Sequence, residues 1–130
     1  MEQTKREIKK IEDIQELVDS FYAKVRKDKL IGPIFNNTIG EEWPAHLTKM
    51  YTFWQTLLLK KQTYFGAPFP PHMPLPIYEE HFEVWMKLWN QTLDELFVGE
   101  TAEEAKWRAM KLKDMFLKKL EFVRSYPYNY

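Results

Sequence analysis

The 130-residue chain carries nineteen basic residues against nineteen acidic ones, so its net charge favours neither nucleic acid nor an anionic membrane surface as a partner. The absence of cysteine excludes disulfides, thiolate metal sites and a cysteine nucleophile. The length predicts a single domain over residues 1–130. The 21 aromatic side chains indicate either a core unusually rich in aromatic rings or rings that line a flat ligand. The charged N-terminus lacks the apolar run of a signal peptide, and no stretch is apolar enough to span a bilayer, so we expect a cytoplasmic protein.

The first amphipathic stripe predicts a helix over about residues 11–27, because apolar residues recur there at three- and four-residue spacings between charged ones. Pro33 then suits the start of a single short helical turn that carries Phe35. A second stripe predicts a helix over about residues 41–61, with Pro44 in its first turn. The first half of the chain is therefore expected to be helical.

A proline-rich segment, Lys61 to Tyr78, follows the second long helix. It holds five of the chain's eight prolines, which exclude a regular helix or a central strand. Its apolar content predicts that the segment packs against the rest of the molecule, and this applies to Tyr64, Phe65, Phe69, Met73, Leu75, Ile77 and Tyr78.

Two further apolar stripes, from Phe82 to Phe97 and from Ala102 to Val123, predict two more helices, and the acidic pair Glu79 and Glu80 is expected at the start of the first of them. Thr101 and Glu104 have the spacing of a capping box at the start of the last helix. No strand-like alternation occurs, so the predicted fold class is all-α.

The three histidines, His46, His72 and His81, are the strongest neutral metal ligands in the sequence. His72 lies in the stiff proline-rich segment, which is a suitable mount for one axial ligand to a planar metal cofactor, although a single loop histidine is also commonly solvated. His46 lies at the border of the second apolar stripe, where it is either a surface residue or a ligand-binding one.

Two more polar side chains lie on apolar stripes, the phenol of Tyr22 and the indole of Trp85. Each alone is compatible with an ordinary core position. Together with His46 they supply donors from three helices, which favours a flat cofactor with a polar patch above its metal. Two serines and four glycines leave no serine-hydrolase, dinucleotide or Walker motif.

The order of these features resembles the truncated haemoglobins, and group III most closely, over about residues 11–123. Gly-Gly pairs that mark the loops of groups I and II are missing, which agrees with group III. The motifs that carry the resemblance are Phe21-Tyr22, Pro33-Ile34-Phe35, Trp43 with His46, Phe53-Trp54, Tyr64-x-Gly66-x-Pro68, His72 with Leu75-Pro76, His81-Phe82-x-x-Trp85 and Arg108-Ala109.

The resemblance implies a truncated globin fold, a two-over-two helical sandwich around a noncovalent haem b (iron protoporphyrin IX), with His72 as the proximal iron ligand. Tyr22, His46 and Trp85 match the polar residues of the distal pocket, where His46 acts as a hydrogen-bond donor or as a gate. Further haem contacts are implied for Phe35, Met50, Phe53 and Phe82, and a propionate contact for Lys49.

The function implied is tight binding of O₂, NO and CO for redox chemistry, such as NO dioxygenation or peroxide reduction, rather than simple oxygen transport. Such turnover needs a separate electron donor or reductase. Two alternatives remain open at this point: a cofactor-free helical adaptor that docks a partner through residues 66–78, and a non-haem metal site built from His46, His72, His81 and a nearby Glu.

Overall fold

A computed structural model of the chain describes residues 4–125. This part is all-α, as predicted, because it contains no strand and only an isolated bridge between Arg6 and Phe97. The helices are α1 (Ile11–Lys27), α2 (Gly32–Ile39), α3 (Trp43–Leu59), α4 (Glu79–Leu96) and α5 (Glu100–Ser125), with short 3₁₀ turns at Gly40–Glu42 and Pro70–His72.

The helix boundaries correct the sequence prediction at three places. The single turn expected after Pro33 is the eight-residue helix α2, and the helix expected at residue 41 begins two residues later, after a 3₁₀ turn. That helix ends at Leu59 because Lys60 adopts a left-handed conformation with φ of 59°. Helix α4 begins at Glu79, in agreement with the expected start, and Glu79 and Glu80 suit the positive end of the helix dipole.

The predicted capping box of the last helix is wrong. Helix α5 begins at Glu100, so Thr101 already lies inside it, and the Glu103 N–H donates to the carbonyl of Gly99 at 3.2 Å. Gly99 has φ of +100°, which is accessible to glycine at little cost and lets the chain turn sharply between α4 and α5.

The N-terminal segment fixes the start of α1 against the junction of α4 and α5. The Arg6 N–H donates to the Leu96 carbonyl and the Val98 N–H donates to the Arg6 carbonyl, at 3.4 and 3.0 Å. The Arg6 guanidinium also donates to the buried carboxylate of Asp13 at 2.8 Å. Burial opposes ionisation of that carboxylate, but two backbone N–H groups and Arg6 outweigh it and lower the pKa of Asp13.

Helix α1 packs against α2, α3 and α4, and α5 packs against α4 and α3. The buried side chains form two separate groups. The larger group comes from α1, α3, α4 and the first half of α5 and includes Phe21, Tyr22, Trp54, Trp89 and Leu93. The smaller group comes from the end of the proline-rich segment, the start of α4 and the second half of α5, and consists of Ile77, Phe82, Phe116 and Leu120.

The proline-rich segment is packed only in part. Ile77 is buried and Tyr64, Phe69 and Leu75 are half-buried, as predicted. The prediction is wrong for three side chains that remain largely in solvent, Phe65, Met73 and Tyr78. Across residues 4–125, none of the helices combines the length and the apolar character needed to cross a membrane.

Candidate functional site

His72 ends the 3₁₀ turn of the proline-rich segment and is held there by its own backbone surroundings. Its Nδ1 lies 2.6 Å from the Pro68 carbonyl oxygen. Because a carbonyl only accepts hydrogen bonds, Nδ1 carries the proton and Nε2 keeps its lone pair. Burial lowers the pKa of His72, and the hydrogen bond to Pro68 opposes that shift only partly, so the imidazole is neutral near pH 7. A neutral imidazole with an oriented ring and an unprotonated Nε2 has the form that a metal-binding histidine takes.

The smaller buried group surrounds this imidazole. The ring of His72 lies 4.7 Å from that of Phe116, and Phe116 also contacts Phe82 and Phe69, at 6.3 and 5.7 Å between ring centres. These contacts place His72 at the edge of the small core, with apolar rings around it.

A second set of polar side chains belongs to the larger buried group. The ring of Tyr22 lies edge-on to those of His46, Trp43 and Phe35, at 5.3, 5.6 and 5.9 Å. Its hydroxyl forms no hydrogen bond within residues 4–125. Burial raises the pKa of Tyr22, so the phenol stays protonated and can donate.

His46 has a buried polar atom without a partner. Its Nε2 is shielded from solvent and finds no hydrogen bond in the described part of the chain. Burial lowers the pKa of His46 to about 4, and the charges of Lys49 and His72 lower it further. A buried nitrogen of this kind requires a ligand or a water as its partner.

Trp85 differs from its neighbour Trp89 one turn later on α4, although their rings are nearly parallel and 6.4 Å apart. The indole of Trp89 is fully buried and donates to the Ala105 carbonyl at 3.0 Å. Trp85 is half-buried, and its N–H donates to no group within residues 4–125. Trp89 is therefore a core residue, and Trp85 keeps a donor available.

The remaining predicted site residues lie around these two sets. Phe35 and Met50 are half-buried against the larger group, and Phe82 belongs to the smaller one. Phe53 is buried and contacts Tyr64 at 5.0 Å, while Lys49 is exposed beside His46.

The structure does not bring the three histidines together. The Nδ1 of His81 accepts the Tyr78 N–H at 2.9 Å at the start of α4, which is a capping role. In the part of the chain that is described, no three His, Cys, Asp or Glu side chains converge on a point that could hold a metal ion. The non-haem alternative is therefore wrong.

The donor set fits a flat metal cofactor. His72 would supply one nitrogen ligand, and Tyr22, His46 and Trp85, from three helices, carry polar atoms without partners within residues 4–125. The sequence analysis missed the Pro68 carbonyl, which orients His72, and the contact of Phe116 with His72. Phe116 lay on the apolar stripe of the last helix, but nothing local showed which face of it would meet the loop.

A helical sandwich with one loop histidine opposite donors from other helices is the arrangement of a globin. The family model for bacterial-like globins matches residues 7–118. The chain is 41% identical over 109 residues to the group 3 truncated haemoglobin of Campylobacter jejuni, covering 81% of this chain and 86% of that one. The crystal structure of the group III truncated haemoglobin from Campylobacter jejuni superposes with a TM-score of 0.82 at 40% identity, over 90% of this chain and 95% of that chain.

The chain belongs to the bacterial-like globins and, among them, to the group III truncated haemoglobins. Both the family and the truncated globin fold are confirmed. Membership implies haem-based binding of small ligands, which confirms the functional prediction at that level and argues against a cofactor-free adaptor.

Proposed function

We propose that the chain holds haem b noncovalently between its two buried groups, with His72 as the proximal ligand, and binds O₂, NO and CO on the opposite side. The observation that carries this proposal is the 2.6 Å contact between the Nδ1 of His72 and the Pro68 carbonyl. That contact fixes the tautomer and the ring direction, so the free Nε2 is ready to bind iron without rearrangement of the loop. Phe35, Met50, Phe53 and Phe82 then line the porphyrin, and Lys49 pairs with a propionate.

When bound, the haem supplies an iron that holds diatomic ligands and gives O₂ a partial negative charge. Tyr22 and Trp85 donate hydrogen bonds to such a ligand, and His46 contributes the buried nitrogen that has no other partner. Each charge-assisted hydrogen bond is worth about 1–3 kcal/mol, which slows ligand escape by about 5- to 150-fold.

Such retention suits chemistry on the ligand better than oxygen transport. We therefore propose NO dioxygenation or peroxide reduction as the activity, with electrons from a separate donor or reductase. The test is to mix the O₂-loaded protein with NO in a stopped-flow instrument and to measure nitrate. Stoichiometric nitrate with rapid loss of the O₂ spectrum supports dioxygenation, whereas slow decay without nitrate contradicts it.

The haem site is tested with two matched histidine variants. Purified protein is reconstituted with haemin, and absorption and magnetic circular dichroism spectra are recorded for the wild type, His72→Ala and His81→Ala. We expect His81→Ala to retain the wild-type iron coordination, because its imidazole caps α4, and His72→Ala to lose it. Addition of free imidazole to His72→Ala should restore a histidine-like spectrum. An unchanged spectrum in His72→Ala would rule out this residue as the ligand.

A further inference from the structure

Three tryptophans form a continuous stack that starts at Trp85. The ring of Trp85 lies parallel to that of Trp89, with 4° between their planes and 6.4 Å between their centres. Trp89 in turn stacks on Trp54 of α3 at 4.4 Å and 26°. Phe21 packs edge-on against Trp85 and Trp89, at 5.9 and 5.0 Å between ring centres. Hydrophobic burial alone does not require three indoles in this order.

The stack ends beside a tyrosine that has a proton acceptor. Tyr51 lies one turn before Trp54 on α3, a spacing that puts the Cβ atoms about 5–6 Å apart. The Tyr51 hydroxyl donates a hydrogen bond to the carboxylate of Asp19 on α1. Tyr51 is half-buried and Asp19 is exposed, so solvent reaches this pair. Burial and the hydrogen bond to Asp19 raise the pKa of Tyr51 to about 12, so the phenol is protonated at neutral pH.

We propose that Trp85, Trp89 and Trp54 relay electrons from Tyr51 to the haem. The oxidised site thereby moves to Tyr51, where a small reductant can reduce it. The proposal rests on the proposed haem site and gives its peroxide chemistry a second, surface-accessible reaction centre. Indoles and phenols are the side chains most easily oxidised by one electron. Ring contacts make the transfers among Trp85, Trp89 and Trp54 short, and Tyr51 lies one helical turn from Trp54.

The redox step balances as follows. Hydrogen peroxide takes two electrons and two protons and leaves as two molecules of water. One electron would come from the bound haem and be replaced later by its external donor. The other would come from Trp85, which is reduced again in turn by Trp89, Trp54 and Tyr51, while the two protons that peroxide takes up would come from solvent. The O–H bond of Tyr51 breaks, its proton passes to the Asp19 carboxylate and a neutral tyrosyl radical remains. A one-electron reductant such as ascorbate restores the phenol, and Asp19 returns the proton.

Hydrogen bonding explains why the radical would be located on Tyr51 rather than on one of the three tryptophans. The N–H of Trp89 donates to the neutral carbonyl of Ala105, which is not a base, so oxidised Trp89 has nowhere to send its proton. Tyr64 is also linked to the stack, through Phe53, but its hydroxyl forms no hydrogen bond within residues 4–125. Of these positions, Tyr51 alone has a carboxylate to accept its proton.

The test uses the ferric haem-loaded protein, mixed with one equivalent of hydrogen peroxide and freeze-quenched for electron paramagnetic resonance. We expect a tyrosyl signal in the wild type and in the control Tyr64→Phe, its loss in Tyr51→Phe, and a large decrease in Asp19→Asn. Spin trapping followed by peptide mapping should place the adduct on Tyr51. Haem bleaching by excess peroxide should be faster in Tyr51→Phe, because the oxidised state then stays at the haem.

The two interior links are tested separately with Trp54→Phe and Trp89→Phe, each checked for haem content and thermal unfolding first. Either change should move the radical away from Tyr51. Since both tryptophans are buried, the surface variants Tyr51→Phe and Asp19→Asn decide the matter if an interior variant does not fold. An unchanged tyrosyl signal in Tyr51→Phe, a signal lost in Tyr22→Phe alone, or peroxide turnover without any protein radical would overturn the relay while leaving the haem site intact. A purified chain that takes up no haem would instead refute the proposed function.

Discussion

Replacing Tyr22 by Phe tests the distal site with two effects of opposite sign. The Tyr22 side chain is buried, and its hydroxyl has no hydrogen-bond partner within residues 4–125. A buried polar group left unsatisfied costs about 1–3 kcal/mol. Tyr22→Phe should therefore raise the unfolding free energy of the haem-free chain, by about 1 kcal/mol at the lower end of that range. In the haem-loaded protein the same change removes a donor to the ligand, so O₂ dissociation should accelerate by about 5- to 150-fold.

Urea unfolding of the haem-free protein measures the first effect, and stopped-flow displacement of O₂ by CO measures the second. Tyr64→Phe is the matched control, because Tyr64 is half-buried beside Phe53 and lies apart from the ring contacts of Tyr22. It should leave the O₂ dissociation rate unchanged. The reasoning is refuted if Tyr22→Phe destabilises the haem-free chain and leaves O₂ dissociation at the wild-type rate, since the hydroxyl would then serve the fold and not the ligand.

Three further outcomes follow from the geometry. His46→Leu should speed O₂ dissociation and leave CO association unchanged in flash photolysis, because the unpartnered nitrogen acts as a hydrogen-bonding group; faster CO association would identify His46 as a gate instead. Although burial opposes ionisation of Asp13, two backbone N–H groups and Arg6 hold its pKa below the unfolded value of about 3.9. The stability it contributes is present above that pH and is lost as pH falls through the folded-state pKa, so Asp13→Asn should flatten the acid side of a plot of urea-unfolding free energy against pH. Gly99→Ala should lower the unfolding free energy by about 1–2 kcal/mol in urea titrations, because φ of +100° strains any side chain, and an unchanged midpoint would contradict this.

The sequence predicted the long helices because helical periodicity is local. Apolar residues recur every three or four positions in each stripe, so they lie on one face of the helix, and that face is buried whichever element packs against it. The capping box at Thr101 failed for the opposite reason. Its spacing was correct, but Gly99 and the bridge between Arg6 and Phe97 set the start of α5 from outside the helix.

The sequence predicted which residues belong to the candidate site, but it did not predict their contacts and distances. His72 stood out by its setting, and Tyr22 and Trp85 by polarity on an apolar face. The hydrogen bond from His72 to Pro68 and the stacking of Trp54 on Trp89 depend on how a loop folds and how two helices cross. No local pattern encodes such distances.

Because the buried side chains form two separate groups, the stability of the folded chain would depend on the proposed cofactor. The smaller group has only four buried members, so the proposed haem would supply much of the packing between the two groups. A ligand that binds only the folded chain stabilises it by about 4 kcal/mol when its free concentration is a thousand times Kd. Chains that hold haem would thus be unfolded, and open to proteases, for a smaller fraction of the time than haem-free chains.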